Sequence, residues 1–216
     1  MSKQPIPGSV NATDTLDRTV ADEDGLMETE LVERPLRADA LRNRARILAA
    51  AEEVFAVEGV GVPVDVVADR AHVGVGTLYR HFPTKEALFE AIVLERLQAL
   101  LTTARAHGSD ADPGSAIYAF LHEFGLQAAA KRDLMEAIDS AGIDIKSKCQ
   151  HTIEELMGCV EDLRLAALEA GSIRSDVSAE EIVTLVVGTC HSGLKPGIDY
   201  ERIDRMISIV CDGLRP

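Results

Sequence analysis

The stretch that decides the fold is Gly74-Val75-Gly76-Thr77-Leu78-Tyr79-Arg80-His81-Phe82-Pro83-Thr84-Lys85-Glu86-Ala87-Leu88. Leu78 and Phe82 stand four apart and give a short helix one apolar side, which leaves Thr77, Tyr79, Arg80 and His81 for the outer side. Pro83 stops that helix, and Thr84 is a plausible N-cap for the next, because its hydroxyl can accept a hydrogen bond from an amide of the first turn. Ala87, Leu88, Ala91, Leu94 and Leu97 then continue at helical spacing to about residue 106. An element that reads a DNA groove needs this combination of an apolar anchor on one side and polar groups on the other.

Reading backward, Val67-Ala68-Asp69-Arg70-Ala71-His72-Val73 places small residues, Ala68 and Ala71, where two helices would cross closely, and Val73 where it can plug the turn between them. Pro63 can open this first short helix, with Val64, Val67, Ala68 and Ala71 facing inward. Further upstream, Leu41, Ala45, Leu48, Ala51 and Phe55 recur at three and four residues, which predicts an amphipathic helix over 39–58 ended by Gly59. Forward of the long helix, a loop at 107–114 precedes predicted helices at 115–131, 133–141, 146–170, 178–194 and 200–213, punctuated by Gly171, Pro196 and Gly197. Nothing in this half alternates like a strand. Aromatics are only 4%, Trp is absent, and 46% of the 216 residues are hydrophobic, a mixture suited to helices packed through aliphatic side chains. The expected fold class is all-α.

The net charge is −14, which opposes nucleic-acid binding unless it is unevenly placed. Residues 1–34 hold three bases and eight acids (−5), residues 35–90 seven and eight (−1), and residues 91–216 twelve and twenty (−8). The middle segment is the least acidic, and Arg37, Arg42, Arg44, Arg46, Arg80 and Lys85 can form a local positive strip there. Residues 1–34, with Pro5, Pro7 and the run Asp22-Glu23-Asp24, read as an acidic disordered tail. No run of apolar residues is long enough for a membrane span, and the N-terminus lacks a secretory core, so a cytoplasmic protein without membrane partners is expected.

The quoted stretch resembles the signature of the TetR/AcrR family of transcriptional regulators, with Thr77-Leu78-Tyr79, His81-Phe82 and Lys85-Glu86 followed by Leu88 carrying the likeness. It covers about residues 39–91. The resemblance implies an N-terminal three-helix helix-turn-helix DNA-binding domain (35–84) joined to a C-terminal helical ligand-binding and dimerisation bundle (85–216). It also implies a homodimeric repressor that binds double-stranded operator DNA and is released by a small-molecule effector. The sequence has no phosphate-binding glycine loop, HExxH or GxSxG motif, and pairs such as Glu154-Glu155 read as solvated helix faces, so no cofactor and no enzymatic activity are expected. Thr77 then contacts a phosphate or a thymine methyl, Arg80 donates to guanine O6 and N7, and Tyr79 and His81 clamp the backbone. Lys85 adds charge at the start of the long helix, Val75 and Gly76 form the tip, and Arg42 and Arg44 reach flanking phosphates. Plainer roles stand beside these: packing for Tyr79, a helix-end cation for His81, and a carboxylate pair for Lys85. The chain departs from the family at His72, where the turn usually has Gly, at Gly74, where a serine commonly caps the reading helix, and at Asp65, where relatives offer Thr or a base.

In the second half, Leu185, Gly188, Thr189 and Ser192 on one helix and Ile203, Ile207 and Val210 on the last are the candidates for a dimer interface, or equally for internal core. Phe120, Phe124, Met135 and Met157 are the candidate ligand-pocket residues, with core packing as the alternative. Cys190-His191 with Cys149, Cys159 or Cys211 is a candidate zinc or oxidant sensor, but tight ligand spacing is missing, so buried free thiols and no metal are expected. A second functional reading is a helical ligand-binding or interaction module whose acidity leaves it with weak DNA binding. The acidic tail is a candidate nucleic-acid mimic that weakens nonspecific binding.

Overall fold

The computed structural model describes residues 23–109, 112–130, 132–191 and 200–216, with side chains from residue 38 onward other than those at 133, 140, 146 and 191. Among the described residues there are nine helices and no strand: α1 (Glu23–Glu58), α2 (Val64–Arg70), α3 (Val75–His81), α4 (Lys85–His107), α5 (Pro113–Ala130), α6 (Arg132–Ser140), α7 (Ile145–Glu169), α8 (Ala179–His191) and α9 (Tyr200–Gly213). The all-α expectation holds, and α2 to α9 follow the predicted elements closely. The chain divides into two units between Asn43 and Arg44.

The start of α1 is the main departure from the sequence reading. The helix begins at Glu23, so residues 23–34, expected to be disordered, are helical. Apolar periodicity begins only near Asp39 because it reports burial rather than helicity. This segment is rich in Glu, Leu and Met, which are good helix formers, and its acids Glu23 and Asp24 lie at the end where the helix dipole favours negative charge. The rest of the acidic tail lies outside the described residues. Within this N-terminal unit Arg42 pairs with Asp39 on an exposed surface.

In the second unit the helix ends are set by local chemistry. Gly59 stops α1 with φ +80°, a conformation that glycine adopts without strain. Thr84 caps α4, its Oγ1 accepting from the Ala87 amide at 3.1 Å, and Asp144 Oδ1 accepts from the Ser147 amide at 3.2 Å to start α7. Ahead of α8, Ser178 Oγ accepts from the Glu181 amide at 3.2 Å while Glu181 Oε2 accepts from the Ser178 amide at 2.8 Å, a reciprocal capping box.

Two apolar cores result. One joins Ile47, Phe55, Val67, Leu78, Phe82, Leu88 and Phe89 of α1 to α4 with Leu134 and Ile138 of α6 and Ile145 and Cys149 of α7. The other joins α5, α7, α8 and α9 with the C-terminal half of α4, around Phe120, Leu121, Ile182, Val186, Ile203 and Ile207. The first core therefore includes side chains from α6 and α7 as well as those of the helix-turn-helix.

Candidate functional site

The turn between α2 and α3 is a Schellman closure: the Val73 amide donates to the Ala68 carbonyl at 3.0 Å and the His72 amide to the Asp69 carbonyl at 3.1 Å. This geometry needs a left-handed residue at position 72, and His72 has φ +52°. The guanidinium of Arg46 holds the turn from α1, donating to the Ala71 carbonyl at 2.6 Å and the His72 carbonyl at 3.2 Å. Because glycine takes this conformation without the Cβ penalty, His72→Gly is expected to stabilise the protein by about 1 kcal/mol. A denaturant midpoint that does not rise would show the histidine to be unstrained there.

Helix α3 is anchored by Leu78 and the following Phe82, 1% and 3% exposed. Gly74 stands at its N-cap with extended backbone and no side-chain cap. Val75, Gly76, Tyr79 and Arg80 are exposed, and Thr77 and His81 are half-buried. Nothing lies within 4 Å of where a Gly76 Cβ would stand, so the tip of the helix is open. The Arg44 guanidinium lies 5.5 Å from the centre of the Phe82 ring, beside this helix.

Lys85 differs from the sequence reading. Its Nζ donates to the Val62 carbonyl and lies 5.5 Å from the centre of the Phe55 ring. Burial lowers its pKa, partly offset by Glu86. It ties the α1–α2 loop to α4, and this inward use competes with a phosphate contact. Neither plain helix periodicity nor the motif distinguishes the two, because both place the lysine at the same position.

A half-open cavity of about 640 Å³ lies between α1, α4, α5, α6 and α8. Its walls are mainly apolar: Leu48, Val93, Leu97, Leu100, Phe124 and Met135. Of the four predicted pocket residues, Phe124 and Met135 line it. Phe120 is sealed in the core, stacked on Phe124 with centroids 5.8 Å apart, and Met157 packs against the same core. The sequence reading missed Arg96, which lines the cavity from α4. A signal was available, since Arg96 continues the spacing of the buried Phe89 and Val93 on α4.

The candidate dimer residues separate into two groups. Ile203 and Ile207 are 1% and 0% exposed, buried within the chain itself, so they do not present a surface to a partner. Leu185 and Gly188 are exposed, and Thr189 and Val210 are half-buried; Ser192 lies outside the described residues. Ile209, which the periodic reading passed over, is 64% exposed, and Leu185 is 50% exposed. The apolar stripe of α9 was correctly seen as a stripe, but it faces inward.

The family model described as "Bacterial regulatory proteins, tetR family" matches residues 47–92, and one described as "Transcriptional regulator SbtR-like, C-terminal domain" matches residues 112–216. The crystal structure of a TetR transcription regulatory protein from Mycobacterium vanbaalenii is 37% identical, covers 84% of this chain and 100% of its own, and superposes with a TM-score of 0.66. The chain belongs to the TetR family. A TetR transcriptional regulator from Streptomyces coelicolor is 32% identical over 80% of this chain and 98% of its own, with a TM-score of 0.64. The HTH-type transcriptional regulator UidR of Escherichia coli is 29% identical over 188 residues, 83% of this chain and 93% of UidR.

This TetR-family chain is thus a helix-turn-helix DNA-binding transcriptional regulator with a helical C-terminal domain. No helix among the described residues is long and apolar enough to cross a membrane. Its cysteines are free: Cys149, Cys190 and Cys211 are buried and Cys159 is half-buried. Burial raises the pKa of all three buried thiols, that of Cys211 to about 11, which disfavours the reactive thiolate. Among the described residues no three His, Cys, Asp or Glu side chains converge to hold a metal.

Proposed function

We propose that the protein is a cytoplasmic homodimeric repressor whose two α3 helices enter successive major grooves of an operator, and that a small molecule in the cavity releases it. The observation that carries the DNA-reading part is α3 itself, with Val75, Gly76, Tyr79 and Arg80 exposed above the buried Leu78 and Phe82. In this reading Arg80 donates to a guanine, Thr77 and Tyr79 meet the backbone, His81 stays near the strand at the helix end, and Arg44 faces a flanking phosphate. Residues 35–84 are the reading domain and 85–216 the sensor and dimer domain.

Release is supported by the position of α6. Met135 lines the cavity, while Leu134 and Ile138 of the same helix are buried in the core that contains Leu78 and Leu88. A ligand that displaces Met135 shifts a helix packed into the base of the reading domain, and so biases the spacing of the two α3 helices. A gel shift against the DNA upstream of its own gene tests the proposal, with sequence-selective and salt-sensitive binding expected. Arg80→Ala is expected to weaken that binding by about 1–3 kcal/mol and to relax selectivity at one base pair. An equal loss on every DNA sequence would move Arg80 from base to phosphate.

A further inference from the structure

Helix α3 has few anchors of its own. Leu78 is the buried residue among its seven, and Gly74 starts it with no side-chain cap. Phe82, the second anchor, lies just past its end. Both anchors therefore hold the C-terminal half. So short a helix is not self-supporting, and its N-terminal tip, with Val75 and Gly76, takes its direction from the turn before it.

That turn is held from outside the motif. Nη2 of Arg46 on α1 donates to the Ala71 carbonyl at 2.6 Å and to the His72 carbonyl at 3.2 Å. Both carbonyls lie where α2 has ended and intrahelical donors have run out, so the guanidinium supplies what the helix cannot. His72 has φ +52°, a conformation that a residue other than glycine keeps only where its surroundings hold it. Two helical turns further along the same side of α1, Glu53 pairs with Arg70 at 2.7 Å on the surface. Ala50, between Arg46 and Glu53, is buried in one core with Ala68 and Ala71. One row of α1 thus grips the end of α2 at two points, and the grip of Arg46 falls on the two residues that lead toward α3.

We infer that Arg46 is a positioning residue for DNA reading: it sets the pitch of α3 in the groove through the Ala71 and His72 carbonyls, instead of contacting phosphate as its place in the positive strip suggests. This rests on the reading of α3 as the helix that enters the groove. Without the clamp the turn samples other conformations, only part of the population presents α3 correctly, and the apparent operator affinity falls by that fraction. A phosphate contact would behave differently, because it supplies charge equally on every sequence.

The test compares Arg46→Met and Arg46→Lys with the wild type on two duplexes, one that the wild-type protein selects from a randomised library and a scrambled one of the same composition. Anisotropy of the labelled duplexes over a salt series gives the affinity and its salt dependence, and NMR follows amide exchange in the free protein. Arg46→Met is expected to bind the selected duplex on the order of 10-fold more weakly, the scale of losing a hydrogen bond from a charged group. A smaller loss on the scrambled duplex and an unchanged salt slope are expected with it. The His72 and Val73 amides, which close the turn, are expected to exchange faster in this variant while those of α9 do not change. Arg46→Lys keeps the charge but has no fork to span two carbonyls, so most of the loss is expected to remain; it also serves should the Met variant not fold. No loss of affinity, an equal loss on both duplexes with a salt slope lower by about one per Arg46 removed, full recovery with lysine, or exchange unchanged in both variants would each overturn the inference. Faster exchange at the turn in the variants, beside a wild type that selects no sequence, would leave the clamp standing and defeat the reading of α3.

Discussion

The double substitution Leu185→Asp with Ile209→Asp is expected to give a folded monomer that binds operator DNA about 10²–10⁴-fold more weakly, the factor lost when two linked binding events become one. Leu185 on α8 is 50% exposed and Ile209 on α9 is 64% exposed, large apolar side chains on the two helices where the dimer is proposed. A two-fold interface brings each residue close to its symmetry partner's surface, so one carboxylate per helix places four charges in a region that must be desolvated. Sedimentation velocity measures the association and anisotropy of labelled operator the affinity. A dimer that persists at micromolar concentration would locate the interface elsewhere. Ile203 and Ile207 make the contrast: they are buried in the chain's own core, so aspartate there is expected to unfold the protein rather than dissociate it.

Gly125→Val is expected to destabilise the protein by about 3 kcal/mol, at the upper end of what overpacking usually costs. For a chain of this size that lowers the thermal midpoint by roughly 6–12 °C. Gly125 sits on α5 where α8 and α9 cross it. A Cβ there would come within 2.9 Å of Ile207 Cγ1, closer still to its Cδ1, and within 3.3 Å of Val186 Cγ1. Both neighbours are 0% exposed, so neither has free space to move into. The Gly125 carbonyl also accepts the Cys190 thiol at 3.2 Å, which fixes the same crossing from the other side. Gly125→Ala should fall between wild type and the valine variant. A midpoint unchanged in both would mean that α9 shifts away at little cost.

These two sites show where sequence reading reached and where it stopped. The stripe on α9 was readable as Ile203, Ile207 and Val210, because helical period reports that one face is apolar. Period does not say whether that face meets another helix of the same chain or a second chain, and Gly125 decides it: the missing side chain on α5 lets Ile207 bury inside the protomer. Ile209 then remains outside, an isolated apolar residue that no stripe could reveal. Of the four pocket candidates, Phe124 and Met135 line the cavity and Phe120 and Met157 do not, for a related reason. All four are apolar residues on buried helix faces, and only the packing of five helices leaves a void beside two of them.

The stretch from Gly74 to Leu88 by itself determined the helix-turn-helix, its caps and the start of α4, because turn geometry, capping and the spacing of Leu78 and Phe82 act within a few residues. His72, just before that stretch, stands where the family usually has Gly, and the structure gives it the left-handed conformation that the turn requires. Only the tertiary structure decided that Lys85 turns inward to the Val62 carbonyl, that Arg96 lies half-buried without a partner for Nη1, and that the last apolar stripe is core. Those outcomes depend on which distant segments arrive at the same place, and hydrogen bonding and burial are settled by that arrival rather than by neighbours along the chain.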